Sequence, residues 1–107
     1  MKAIHIWIVA EEWAEGEWNS EDANLDVIVT LSDDSKWTAT FFTYKNIQSL
    51  REKNNKSGEC LHGAYLWGSN MILIDIASRE RICKVILDLI ERNEFDSVFS
   101  KLEDYKI

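Results

Sequence analysis

The sequence predicts an α+β fold: an antiparallel sheet of about five strands, in the order β-β-β-α-β-β-α-α, with helices packed on one face. Three observations lead to it. Segments alternating with period two, rich in Val, Ile, Thr and aromatic residues, fill much of the chain up to Thr43 and recur between Cys60 and Ile76. A strong 3.6-residue apolar stripe begins only at Arg79. The chain has 107 residues, 46% hydrophobic and 29% charged, which suits one globular domain over 1–107 that needs no disulfide or metal to close its core.

The elements follow in order. Lys2 to Ala10 alternates, with Ile4, Ile6 and Ile8 on one side and His5, Trp7 and Val9 on the other. Apolar residues on both faces place this strand centrally in the sheet. Residues 11 to 24 form an acidic loop. Leu25 to Leu31 and Lys36 to Thr43 are strands joined by the turn signal Asp33-Asp34-Ser35. Thr43 caps a helix over Tyr44 to Asn54, with Ile47 and Leu50 facing inward and a polar, glycine-containing stop from Asn54 to Gly58. Cys60 to Trp67 and Asn70 to Ile76 read as strands joined by a II′ turn at Gly68-Ser69. Ser78 caps the helix Arg79 to Arg92, whose stripe is Ile82, Val85, Ile86, Leu89 and Ile90. A last helix carries Phe95, Val98, Phe99 and Leu102. Trp37 and Trp67, both on expected strands, are the first tryptophan candidates for packing.

Charge is concentrated. Residues 1 to 35 hold nine acids and one base, Lys2, while the remaining 72 residues hold ten acids and eleven bases. Glu11 to Asp22 contains six acids, no base and two tryptophans. Two readings apply: a solvated loop with its tryptophans folded back, or a contact surface. Tryptophan is enriched at the centre of interfaces, and an acidic field speeds the encounter with a basic partner. Direct binding of nucleic acid is disfavoured, because it depends on Lys and Arg neutralising phosphates.

Catalytic readings find little to stand on. Cys60 and His62, two apart on an expected strand, would point the same way, but no orienting third group is evident. A zinc site from His5, Cys60, His62 and Cys83 lacks the usual paired spacing. Phosphate-binding loops, dinucleotide fingerprints, nucleophile elbows and EF-hand loops are missing from the sequence. The expectation is no enzyme, no catalytic residue, no metal and no cofactor. Cys60 and Cys83 read as reduced buried thiols, although spacing alone leaves a bridge open. The apolar run ending at Ala10 is short and meets Glu11 and Glu12 at once, so no secretory leader is read; Met71 to Ile76 is too short to span a bilayer. A cytoplasmic protein with no membrane partner is expected.

A resemblance sharpens this. The run Trp37-Thr38-Ala39-Thr40-Phe41-Phe42-Thr43-Tyr44 is followed by Asn46-Ile47, Leu50, Lys53-Asn54 and Ser57-Gly58-Glu59. Leu61, Gly63, Tyr65 and Trp67-Gly68-Ser69-Asn70-Met71-Ile72 come next, with Val85-Ile86-Leu87-Asp88-Leu89-Ile90 near the end. Together these cover about two-thirds of the chain and resemble small bacterial immunity proteins of contact-dependent growth inhibition and related polymorphic toxin systems. The resemblance implies a partner, the cognate toxin C-terminal domain, basic and a nuclease, whose cleft an acidic surface would block. The expected contact residues are Glu11, Glu12, Trp13, Glu15, Glu17, Trp18, Glu21 and Asp22, with Asp33 and Asp34 at the hairpin tip. An acidic adaptor or secretion chaperone that holds a partner without inhibiting it is the alternative. The free edge of a small sheet leaves monomer or weak homodimer open.

Overall fold

The computed structural model describes residues 1–103. It has an α+β architecture built on a five-stranded sheet. The strands are β1 (Ala3–Ile8), β2 (Asn24–Leu31), β3 (Lys36–Thr43), β4 (Met71–Ile74) and β5 (Ser100–Leu102). The helices are α1 (Tyr44–Ser57), the short α2 (Glu59–Gly63), α3 (Arg79–Glu91) and the single turn α4 (Phe95–Val98).

The strand order is β1-β2-β3, with β3 sharing its far side between two short strands. Lys36–Thr38 pairs antiparallel with β5, and Thr40–Thr43 pairs parallel with β4. Asn70 staples the two end to end. Its Nδ2 donates to the Val98 carbonyl at 2.9 Å, its Oδ1 accepts from Ser100 Oγ at 2.7 Å, and its carbonyl accepts from the Thr40 amide at 3.0 Å.

The alternation in β2 and β3 sets the core face. Leu25, Val27, Val29 and Leu31 are buried in β2, and Ala39, Phe41 and Thr43 in β3. Ile82 and Ile86 of α3 are buried on this face, with Val85, Leu89 and Ile90 packed against it, as the stripe requires. Three phenylalanines and a tryptophan close the other end. Phe95 and Phe99 stack at 4.4 Å, Trp37 meets Phe95 edge-on at 5.6 Å, and Phe41 meets Phe99 at 6.4 Å. These are the separations and angles at which aromatic quadrupoles attract.

Both expected caps are present. Thr43 Oγ1 accepts from the Asn46 amide at 3.1 Å, and Ser78 Oγ from the Arg81 amide at 3.2 Å. The hairpin between β2 and β3 closes through Asp34 N to Leu31 O at 2.9 Å, with Asp34 at φ 66. That is a type I turn followed by a left-handed residue, a common three-residue hairpin loop.

Several expectations are corrected. β1 is an edge strand, not a central one, and its register shifts between Ala3 and His5. The bulge ejects Ile4 from the inward row formed by Ala3, Ile6 and Ile8, so Ile4 is exposed. Cys60 to Trp67 is not a strand. Cys60, Leu61 and His62 take left-handed helical dihedrals between Gly58 and Gly63, both also at positive φ. Gly68 lacks the positive φ of a II′ turn, and a hairpin is replaced by a crossover through α1 and α2. A crossover of that length brings β4 back parallel to β3. The last helix stops at Val98, because Phe99 turns extended to enter β5, where Leu102 lies. Ile47 and Leu50 are half-buried but pack outside the core. Trp37 packs on the core as expected, whereas Trp67 stands in the open.

Candidate functional site

The acidic loop is fastened at three points and open between them. Its first fastening is Glu11, at the end of a 3₁₀ turn over Val9–Glu12. Arg79, the first residue of α3, donates from Nε to Glu11 Oε2 at 2.6 Å and from Nη2 to Oε1. The same Nη2 donates to the Ile6 carbonyl at 2.8 Å, so one guanidinium ties loop, edge strand and helix together. The second fastening is Trp18. Its indole Nε1 donates to the Ala77 carbonyl at 3.1 Å, its ring packs against the core, and the Ala77 amide donates back to Ser20 O at 2.7 Å. The third is Asp22, whose two oxygens accept from Asn46 Nδ2 and Ser49 Oγ of α1, each at 2.9 Å.

Between these points the chain turns tightly. Glu17 N donates to Ala14 O across Gly16 at φ 86, a position that needs φ above zero, as at the third residue of a type II turn. Trp13 lies there with 36% of its surface exposed. Glu12, Glu15, Glu17 and Glu21 are exposed, and among the described residues none of their carboxylates makes a hydrogen bond or ion pair.

Asp33 and Asp34 lie elsewhere. β2 begins directly after the loop and ends directly before the hairpin, so its eight residues separate the two acidic clusters by about 24 Å. Asp33 is occupied within its own turn, accepting from the Ser35 amide at 3.0 Å and from the Ser35 hydroxyl. The ten expected contact residues are therefore two groups at opposite ends of β2. Within the larger group, Glu11, Trp18 and Asp22 hold the loop down, while Glu12, Trp13, Glu15, Glu17 and Glu21 face outward.

Arg79, Asn46 and Ser49 hold the candidate site in place and were not singled out from the sequence. Arg79 registered only as a helix start. Nothing in the spacing links Asn46 or Ser49 to Asp22, more than twenty residues earlier.

Two of the three fastenings, those at Glu11 and Asp22, are acid-sensitive in a defined direction. Hydrogen bonding from Arg79, helped by its charge, holds the Glu11 carboxyl below its ordinary range against a smaller opposing effect of burial. Asn46 and then Ser49 do the same for Asp22. A carboxylate with a depressed folded value contributes stability that is complete above its unfolded value and disappears as pH falls through the folded one. The loop is therefore expected to stay fastened at neutral pH and to loosen below about pH 4. Indole NH resonances of Trp13 and Trp18 followed through an acid titration check this, and Glu11→Gln is expected to shift the Trp13 signal already at pH 7.

Among the described residues, no group of three or more His, Cys, Asp or Glu side chains is placed to hold a metal. Cys60 and His62 do not form a thiol–imidazole pair: His62 Nδ1 lies 3.3 Å from the Asn55 carbonyl. Cys60 and Cys83 are free and half-buried. No helix among the described residues is long and apolar enough to cross a membrane. Comparison with known proteins brings no match: no family model, no curated protein and no solved structure is similar to this chain.

Proposed function

We propose that this chain is an immunity protein: it binds the basic C-terminal domain of a cognate toxin, a nuclease, and blocks access to its cleft, acting in the cytoplasm without catalysis. The observation that carries the reading is the fastened loop. A solvated acidic loop needs no anchors, yet this one is held at Glu11, Trp18 and Asp22 while Trp13 and four carboxylates, unpaired among the described residues, face out. Holding a contact surface in its bound shape before the encounter removes an ordering cost from association. The carboxylates steer a basic partner and pair with its Lys or Arg, and Trp13 supplies the apolar anchor.

The two tryptophans take different roles. Trp13→Ala is expected to weaken toxin binding by about 2 kcal/mol or more, near thirty-fold in Kd, with the fold intact. Trp18→Ala is expected to lower thermal stability first, because that ring packs on the core. Calorimetric titration of both variants with the toxin domain, alongside their melting curves, separates the roles. Unchanged affinity for Trp13→Ala would remove it from the interface.

A further inference from the structure

A second surface stands on the other side of the charge balance. No hydrophobic side chain from 44 to 70 belongs to the buried core, yet this lobe contains a run of residues in a conformation with a local penalty. Cys60, Leu61 and His62 are left-handed in succession, at φ 52, 50 and 57. For residues with a Cβ that conformation costs about 1–2 kcal/mol each. What the turn and the segment after it display is apolar. Leu61 is 74% exposed, Tyr65 52% and Trp67 74%, all within seven residues. Isolated exposed apolar side chains are ordinary, but three of this size within seven residues, two of them the Tyr and Trp enriched at interface hot spots, mark a contact surface.

The charge around them says what would cover them. Residues 44 to 70 hold the bases Lys45, Arg51, Lys53 and Lys56 against the acids Glu52 and Glu59, in a molecule of net charge -7. Among the described residues none of these four bases forms an ion pair. Arg51 is exposed on the lobe. It lines two adjoining grooves beside Gly63 and Ala64, one shared with Glu52 and His62 and the other, free of acidic side chains, with Tyr65 and Leu66.

We propose that the α1–α2 lobe is a second protein-docking surface, which takes an acidic, apolar segment of a partner protein: an aliphatic or aromatic side chain against Leu61, Tyr65 and Trp67, with a carboxylate on Arg51. The sign of its charge separates it from the acidic loop, whose partner must be basic. The two surfaces therefore engage different segments, and the inference stands independently of the immunity reading. Nucleic acid is the less favoured occupant, because two aromatic rings and a small positive excess would have to overcome the repulsion of a strongly acidic molecule.

Display of random twelve-residue peptides tests this on the full chain. The wild-type protein is the bait, Trp67→Ala the counter-selection, and synthesised hits are titrated. The expected hits carry an aliphatic or aromatic residue beside Asp or Glu and bind more weakly as salt rises. They should lose at least about ten-fold affinity to Trp67→Ala and to Arg51→Glu. Glu12→Lys, in the acidic loop, should leave their binding unchanged. Leu61→Asn is a second variant, since Asn tolerates the left-handed conformation; it should lose the peptides while keeping the fold, as near-ultraviolet dichroism would report. Absence of hits that prefer wild type over Trp67→Ala, or selection of basic peptides, overturns the proposal. Trp67-dependent binding of a labelled oligouridylate would overturn it in favour of nucleic acid. A sedimenting dimer abolished by Trp67→Ala would overturn it in favour of a second copy of the chain.

Discussion

Phe95→Ala is expected to lower the unfolding free energy by about 3–5 kcal/mol, among the largest losses from any single truncation in this chain. The side chain is fully buried, stacks on Phe99 and receives the edge of Trp37. Removing it deletes apolar contact and leaves a cavity whose walls belong to three elements: α4, β3 and the segment entering β5. Those walls cannot collapse together, because Trp37 is held by its strand and by its Nε1 donation to Ser35 Oγ at 2.9 Å. Such a loss is a large share of the stability of a domain this size. Urea unfolding monitored at two wavelengths measures it. A cost below about 1 kcal/mol would mean that the aromatic cluster is not the core that the packing describes.

Gly63→Ala is expected to act as strongly but locally. Gly63 has φ 82, and a Cβ there would sit 2.5 Å from the Arg51 carbonyl oxygen and 3.3 Å from the Arg51 side chain. The obstacle is backbone, so no rotamer change relieves it. The left-handed penalty of about 1–2 kcal/mol adds to a forced displacement of similar size, about 1–3 kcal/mol. Because the lobe contributes nothing apolar to the buried core, the sheet should survive while α1 and α2 part. Hydrogen exchange should show lost protection from Arg51 to Leu66 and unchanged protection in β2 and β3. Global loss of protection would mean instead that lobe and sheet unfold as one unit.

The sequence carried the parts of the fold whose signals are local. Alternation marked β2 and β3, the apolar stripe marked α3, and Thr43 and Ser78 marked the helix starts, because each rests on neighbouring residues. Reading failed where tertiary context decides. The run Cys60 to Trp67 has strand-like composition, but Gly58 and Gly63 bracket a left-handed turn that no period encodes. Ile4 fits the inward alternation and is ejected by a one-residue bulge, which only the partner strand reveals. Phe99 and Leu102 continue a helical spacing, yet the open edge of β3 draws their backbone into a strand. At the acidic loop, composition pointed to the segment and missed its internal division. Whether a carboxylate is free or fastened depends on Arg79, Asn46 and Ser49, all remote in sequence.

That division makes the central claim a statement about which carboxylates remain unpaired until a partner arrives. The most direct measurement titrates the chain with the C-terminal domain of a candidate cognate toxin, at low and high salt, and follows any nuclease activity of that domain. The expected result is nanomolar binding that abolishes cleavage and weakens as salt rises, with Glu12, Glu15 and Glu17 replaced together by Gln removing most of the salt dependence. No binding at either salt, or tight binding that leaves cleavage intact, would contradict it and leave the acidic loop the surface of an adaptor.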